Sequence, residues 1–153
     1  YKVVITSSSK TAFKELKVLM TEKDNGTKIQ TAASKEKNWV VAPTCFNNEE
    51  TISAASTSDV SGKKFDFAEI KDGEQKVTGY SWTINYDLAF NWGTAFGGKN
   101  PGEYFDTGAG KNVPLKRDTK TPEETKTVQE ILDEMHTTLD EASFELTFTA
   151  VAQ

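Results

Sequence analysis

Residues 80–92 alternate strictly between two kinds of side chain. Even positions are apolar or aromatic and odd positions are polar or small, from Tyr80 through Trp92. Because a β-strand points successive side chains to opposite faces, this pattern predicts one long strand with a packed face and a hydrated face. Such a strand favours an antiparallel sheet. Trp92, at the strand's end, is expected at the surface. The residues expected to pack inward are Trp82, Ile84, Leu88 and Phe90.

Shorter alternating or β-branched runs predict further strands. They cover residues 1–5, 13–20, 38–42, 50–53, 64–70, 74–77 and 142–151. Asn and Gly tolerate positive φ, so Asn25-Gly26 predicts a tight turn and residues 28–32 the return strand of a hairpin. Asp72-Gly73 predicts a second hairpin turn, and Gly79 inside a β pattern predicts a bulge or bend.

One helix is predicted near the end of the chain, over about 122–139. Thr121 is expected to cap it, Pro122 suits the first helical position, and Glu124 completes a capping box. Apolar residues then recur at helical spacing and define one face. These residues are Val128, Ile131, Leu132, Met135 and Leu139.

Residues 93–120, between the long strand and the helix, are rich in glycine and show no regular pattern. A connection of this length is typical of a functional or interface loop. Its aromatic side chains have little use in a purely solvated loop. We therefore predict four aromatic residues at or in this loop as contacts between subunits. They are Trp92, Phe96, Tyr104 and Phe105.

Length and composition narrow the class of protein. With 153 residues, of which 36% are hydrophobic, the chain is predicted to form a single domain over 1–153. The formal charge of −5 argues against a phosphate-binding surface. The sequence has no apolar run of membrane-spanning length. The predicted fold is mainly β with one helix: an antiparallel β-sandwich or barrel-forming sheets, a flanking α-helix and a long loop.

The candidate chemical motifs are weak. Residues 93–99 have the G-x-x-x-x-G-K spacing of a phosphate loop, but Asn100 stands where a hydroxyl should hold magnesium. Pro101-Gly102 is expected to prevent the helix whose N-terminus would bind phosphate. The single cysteine, Cys45, excludes an internal disulfide and is expected to be buried. His136 lies on the predicted helix without a supporting motif, so a Cys–His nucleophile pair carries little weight. The sequence therefore predicts no catalytic residue, cofactor or metal ligand.

The order of elements resembles the major tail tube proteins of long-tailed bacteriophages. The resemblance covers the chain from Thr44 to its end, through a threonine- and serine-rich stretch at 56–62 and a Gly-Tyr-Ser-Trp-Thr-Ile strand at 79–84. The amphipathic helix and the strand at 144–149 complete it. The Ser-Trp-x-Ile strand is its most telling part.

The resemblance implies a structural, non-enzymatic protein of the virion, assembled in the host cytoplasm. Copies of the chain would form hexameric rings, and the rings would stack into a hollow tail tube together with other tail proteins. DNA would pass through without specific binding, which suits an acidic chain because holding phosphate requires clustered Lys and Arg. In this picture no cofactor is needed, and closing a ring removes exposed sheet edges.

Three alternatives remain open. The first is the inner-tube protein of a contractile injection machine, which would have the same arrangement of sheets in a different apparatus. The second is a secreted β-sandwich that binds carbohydrate or acts in adhesion, with Trp92 and Tyr104 as stacking surfaces. The third is an enzyme, and it ranks lowest because no constellation of side chains converges in the sequence.

Overall fold

The computed structural model describes residues 1–23, 26–55, 63–106 and 128–153. Its strands are β1 (Lys2–Ser7), β2 (Phe13–Glu22), β3 (Val40–Val41), β4 (Glu50–Ser53), β5 (Asp66–Lys71), β6 (Val77–Asn85), β7 (Asn91–Trp92) and β8 (Phe144–Ala152). Its α-helices are α1 (Lys28–Ala32), α2 (Pro101–Asp106) and α3 (Val128–Leu139), with a 3-10 turn at Thr94–Phe96. The described strands form three antiparallel sheets that do not close into a barrel, so the predicted mainly-β fold with one main helix is confirmed.

The chain divides into two compact units. The first, called the sheet unit, comprises Tyr1–Thr21, Pro43–Ala89 and Glu145–Gln153. The second, called the helix unit, comprises Glu22–Ala42 and Phe90–Phe144. The boundary after Ala89 falls inside the alternating stretch 80–92, so one sequence pattern serves both units.

The sheet unit contains sheet I, in the order β1-β6-β5, and most of sheet II, in the order β4-β2-β8. Apolar side chains at alternate positions of β2 face inward, and Leu16, Val18 and Met20 are buried as their spacing predicts. The Phe13 ring of sheet II lies 5.3 Å from the Trp82 ring of sheet I. The two sheets therefore pack on each other through a shared aromatic core, which is the predicted sandwich arrangement.

The hairpin between β5 and β6 confirms both turn predictions in this region. Asp72 Oδ1 accepts hydrogen bonds from the backbone amides of Glu74 and Lys76, at 3.0 and 2.9 Å. The register between the strands shifts after Ile70, which pairs with Gly79, whereas Lys71 pairs with Val77. This irregularity is the bulge that the glycine predicted.

The helix unit has a core assembled from several short elements. Its buried residues are Ala32, Trp39, Phe96, Ile131 and Met135. Ile131 and Met135 come from the apolar face of α3, as the helical spacing predicts, and Leu132 and Leu139 are partly buried beside them. The capping residues predicted for this helix, at 121–124, lie outside the described residues.

The prediction of a single strand over 80–92 is wrong beyond Asn85. Both neighbours of β6 end close to this point. β5 begins with Asp66 opposite Thr83, and the β1 strand has Lys2 opposite Asn85, followed by one last pair of backbone hydrogen bonds between Tyr1 and Tyr86. A strand without a partner loses its backbone hydrogen bonds, so the chain leaves the sheet and forms β7 with β3. Phe90, expected to pack inward, is exposed.

The predicted return strand at 28–32 is also wrong, because these residues form α1. Glu22 is the last residue of β2, and its carboxylate accepts hydrogen bonds from the backbone amides of Ile29 and Gln30, at 2.7 and 3.0 Å. It thereby satisfies amides that the first turn of a helix leaves without a partner. Ile29 and Ala32 are buried on the inner side of the helix. The tight turn predicted at Asn25-Gly26 includes residue 25, which lies outside the described residues.

The loop predicted over 93–120 contains regular structure in its described part. The expectation that Pro101-Gly102 prevents a helix is wrong, because α2 begins at Pro101, a residue whose fixed φ suits the first helical position. The Asn100 side chain caps α2 by accepting a hydrogen bond from the Glu103 amide at 2.9 Å. Residues 107–120 lie outside the described residues.

Candidate assembly surfaces

The exposed large hydrophobic side chains of the sheet unit are concentrated at the two edges of sheet I. Val4 lies on β1, whereas Phe67 and Ile70 lie on β5, and Tyr1 directly precedes β1. Natural proteins protect edge strands because their unpaired amides and carbonyls pair readily with another chain. These two edges carry exposed charged residues, among them Lys2, Glu69 and Lys71. They nevertheless also present large exposed apolar side chains, as surfaces that bind another chain do.

The two edge strands match in length and direction. Each has six residues. Both run antiparallel to β6, so they run parallel to each other. An edge strand of one copy can therefore meet the opposite edge of the next copy while every copy keeps the same orientation, which is a head-to-tail arrangement.

The pairing registers assign each edge residue to a face of sheet I. Ile5 and Phe67 are both paired with Trp82, on the face that packs against sheet II. Val4 and Asp66 are both paired with Thr83, on the opposite face. This outer face carries an uncharged central row from β6, in which Ser81 and Thr83 are hydroxyl side chains. The predicted polar face of the long strand is thus present over the length of β6.

Phe67 belongs to a chain of aromatic rings. Its ring stacks on that of Tyr80 at 5.9 Å with an interplanar angle of 16°, and it lies 5.4 Å from that of Trp82. The Lys10 ammonium lies 5.6 Å from the centre of the Phe67 ring. One face of this exposed ring is therefore stacked on Tyr80, and Trp82 and the exposed Lys10 also lie against the ring.

A cleft opens at the other edge of sheet I, between β1 and the end of β8. It has a volume of about 180 Å³, and its lining includes Ile5 and Ser7 of β1 and Ala150 of β8. Phe13, whose ring belongs to the shared aromatic core, also lines it. The cleft thus leads from the surface between the two sheets toward the aromatic core.

The four predicted interface residues have different positions in the helix unit. Trp92 is exposed, with its ring edge-on to that of Phe96 at 6.3 Å. Phe96 is fully buried in the core of the unit, and the half-buried Tyr104 packs against it at 6.2 Å. The side chain of Phe105 lies outside the described part. The surface that these aromatics offer therefore comes mainly from Trp92.

Trp92 also lines an open groove of about 420 Å³ along α3. Leu132, Met135 and Leu139 line its apolar side, and His136 lies on the same helix. Asp140 and Glu141 stand where the helix ends and give the groove an acidic rim. This groove is a further surface that can receive a ligand.

The phosphate-loop spacing at 93–99 has a structural cause. A Cβ atom at Gly93 would lie 1.9 Å from the backbone oxygen of Asn38. Gly93 also donates its amide to the Trp39 carbonyl at 2.8 Å. Only glycine allows the two backbones to approach this closely, so the residue is required by the local packing of β3 and β7.

A polar cluster in the sheet unit ties the end of the β6 segment to β4. The Tyr86 hydroxyl donates to Glu50 Oε2 at 2.7 Å, and the Lys63 ammonium pairs with Glu50 Oε1. Burial raises the pKa of Tyr86, and the neighbouring Cys45 thiol and Glu50 carboxylate add to the rise. Burial also disfavours the charged form of Glu50, but the hydrogen bonds from Lys63 and Tyr86 outweigh it and lower the pKa of Glu50. Each polar group has a partner within the cluster, so we interpret the cluster as one that stabilises the fold.

The residues considered for nucleophilic chemistry are not arranged for it. Cys45 is fully buried, as predicted, and its thiol lies against Tyr86. His136 is exposed on α3. Within the described ranges, no three His, Cys, Asp or Glu side chains are grouped so that they could hold a metal ion. No helix among the described residues has the length and apolarity that crossing a bilayer requires.

Comparisons with protein-family models, with curated proteins and with solved structures found no significant match. Function must therefore be inferred from the surfaces themselves.

Sequence reasoning missed the edge strands of sheet I as candidate surfaces and favoured the loop aromatics instead. A signal was present at 66–71, where Phe67 and Ile70 stand three residues apart and therefore on opposite faces of a strand. When a strand has apolar side chains on both faces and these side chains are exposed, the strand lies at a sheet edge. Another chain can cover such an edge. Sequence alone could not show that β5 is an edge.

Proposed function

We propose that this chain is a structural subunit that assembles with copies of itself, edge to edge, into rings and stacked tubes of the tail-tube type. The observation that carries the proposal is the concentration of exposed large hydrophobic residues at the two edges of sheet I. Joining β5 of one copy to β1 of the next would cover these side chains and pair the free backbone groups. The role is architectural and requires no catalytic residue or cofactor.

The parallel direction of β1 and β5 supports a ring rather than a simple dimer. A two-fold dimer joins the same patch on both copies, whereas a head-to-tail contact joins two different patches and repeats. Repetition closes into a ring when the rotation between copies divides a full turn. The two different and equally long edges of sheet I suit the repeating arrangement.

The uncharged central row on the outer face of sheet I supports passage of DNA through the assembly. Its central row is uncharged, with Ser81 and Thr83 at its middle, and the whole chain carries a formal charge of −5. A wall without clustered cations does not hold phosphate, so DNA can slide past it. We therefore assign this face to the lumen of the proposed tube.

Electron microscopy and analytical ultracentrifugation of the purified protein test the proposal. We expect rings or stacked tubes from the unmodified chain, because among the described strands β1 and β5 each pair with β6 alone. Val4→Lys should reduce the protein to monomers, since a lysine on an edge strand opposes pairing with another edge. A protein that stays monomeric at the highest soluble concentration contradicts the proposal.

Val41→Lys is the matched control for this experiment. Val41 is 48% exposed and Val4 is 53% exposed, but Val41 lies on β3 of the helix unit. The control introduces the same charge at a valine of similar exposure that is not part of sheet I. It should assemble like the unmodified protein. Loss of assembly in both variants would mean that the added charge prevents assembly wherever it is placed, and that the edge of sheet I is not specifically involved.

The exposed Trp92 in its groove favours a second candidate function, the binding of carbohydrate by a β-sandwich module. An aromatic ring at the mouth of a groove can stack on a sugar ring, and the groove is large enough for a small ligand. Affinity electrophoresis in polysaccharide gels tests it, with Trp92→Ala as the variant. Retardation of the native protein that disappears in the variant would favour this candidate. Unchanged mobility in every polysaccharide would rule it out.

A further inference from the structure

The exposed Phe67 ring and the cleft beside β1 lie at the two opposite edges of sheet I, at the same level along the strands. Ile5, Trp82 and Phe67 are paired in succession across the three strands, so their side chains share one face and one level. Ile5 lines the cleft. The next row repeats the relation, because Ser7 and Glu69 are both paired with Tyr80.

We infer that Phe67 of one copy fills the cleft between β1 and β8 of the next copy. The inference rests on the proposed edge-to-edge assembly and names the contact that fixes its register. When β5 of one copy lies beside β1 of the next without a shift along the strands, Phe67 lies beside Ile5 at the mouth of the cleft. Both residues are then on the face that packs against sheet II.

Size and chemistry match between the ring and the cleft. A cavity of about 150 Å³ lined by apolar groups is large enough to hold benzene. The cleft has about 180 Å³ and opens onto Phe13. A phenyl ring entering it would approach the aromatic core of Phe13 and Trp82, whose rings lie 5.3 Å apart. The ring of Phe67 would thus link the aromatic clusters of two neighbouring copies.

Lys10 does not block this arrangement. Its ammonium lies over the Phe67 ring but the residue is exposed, so the long side chain can move aside without leaving a buried charge. The rings of Tyr80 and Trp82 of the same copy lie against Phe67 and hold its ring in place before association. A ring that is already ordered loses little entropy on docking.

Cross-linking of matched cysteine variants tests the register. Glu69→Cys and Ser7→Cys change the row next to Phe67 and leave the ring intact. The native Cys45 is fully buried, so a short bis-maleimide should react mainly with the introduced thiols. We expect cross-linked dimers when the two variants are mixed and none from either variant alone.

The other outcomes each overturn the inference. Dimers from Glu69→Cys alone would mean that two β5 edges pair with each other around a two-fold axis. The absence of cross-linking in the mixture, in a sample that forms rings under the electron microscope, would mean that self-assembly uses another register or surface. In that case assembly of the chain into rings stands, whereas the Phe67 contact does not. A sample that neither assembles nor cross-links contradicts both.

A second measurement tests the ring itself. Phe67→Ala should raise the concentration at which half of the protein assembles by roughly 10- to 100-fold, the effect of losing one buried phenylalanine ring. Phe90→Ala is the matched control, because Phe90 is 40% exposed, close to the 43% of Phe67, and belongs to the helix unit. Equal assembly of Phe67→Ala and the native protein would overturn the inference.

Discussion

In the sheet unit the buried side chains stand at every second position of long strands, whereas in the helix unit they come from several short segments far apart in the sequence. Leu16, Val18 and Met20 follow one another along β2. In the helix unit, Trp39 and Phe96 meet the apolar face of α3, although Trp39 comes from a run of only five residues and Phe96 from a segment without a regular pattern. The alternation within a strand predicts its buried residues from a few neighbouring positions. In a core made of scattered side chains, tertiary contacts alone decide which residues are buried.

The two halves of residues 80–92 show the same contrast within one pattern. Trp82 is paired on both sides in sheet I and is 4% exposed, whereas Trp92 belongs to a two-stranded ribbon and is 40% exposed. The same residue type at the same phase of the same pattern therefore has two different environments. Burial followed the number of neighbouring strands and not the pattern alone.

The largest expected effect separates these two tryptophans. Trp82→Ala should destabilise the protein by about 3–5 kcal/mol, because it leaves a cavity among the aromatic rings between the sheets. Trp92→Ala should cost less, roughly 1 kcal/mol, since 40% of this residue is already exposed to solvent. Urea denaturation of both variants measures the difference. Similar losses in the two variants would contradict the contrast between the halves of the pattern.

Gly93→Ala tests the packing of the helix unit without touching an apolar side chain. The added Cβ would meet the Asn38 backbone oxygen, so we expect a loss of about 1–3 kcal/mol, as for other overpacked sites. Gly73→Ala is the control, because no atom lies within 4 Å of its Cβ position. It should stay within about 0.5 kcal/mol of the native protein in the same thermal unfolding experiment. A neutral Gly93→Ala would mean that β3 and β7 are not held this closely.

The Glu50 cluster gives the sheet unit a pH dependence. The pKa of Glu50 is lower in the folded protein than in the unfolded chain, so its stabilising effect is complete above the unfolded value, near 4.3, and is lost as the pH falls through the folded value. At pH 7, Glu50→Gln should cost about 1–2 kcal/mol, the contribution of hydrogen bonds to a charged group.

Unfolding curves of the native protein and Glu50→Gln, measured from pH 7 down to acid pH, test this expectation. The gap in stability between the two proteins should narrow as Glu50 becomes protonated. A gap that stays constant over this range would show that charge on Glu50 does not matter. Lys17→Gln serves as a control, because its ion pair with Glu49 is on the surface and contributes little.

The smallest expected effect concerns α1. Glu22→Ala removes the carboxylate that accepts from the Ile29 and Gln30 amides, and should cost about 0.5–1 kcal/mol. Glu22→Gln keeps one acceptor oxygen and should recover part of the loss. Hydrogen exchange of these two amides is the measurement. Unchanged protection in Glu22→Ala would mean that the helix does not depend on this contact.

Local pattern was sufficient for the strands of the sandwich and for the apolar face of α3. The short strand at 50–53 and the hairpin at Asp72-Gly73 were predicted where they occur. The helix at residues 28–32 was not predicted, because the carboxylate that favours it belongs to Glu22 on the preceding strand. The candidate surface was predicted only in part: Trp92 is exposed, but Phe96 is buried, and the edges of sheet I were missed.

The sequence by itself determined which residues alternate, where glycine and asparagine allow turns, and that the chain forms half-buried strands with one amphipathic helix. These properties depend on side chains close together along the chain. Tertiary structure alone decided where the long alternating stretch leaves its sheet, because a strand continues only while a neighbour pairs with it. It also decided that β1 and β5 are edges. Whether Phe67 or Val4 faces water depends on the strands beside it, and residues near in sequence do not define those neighbours.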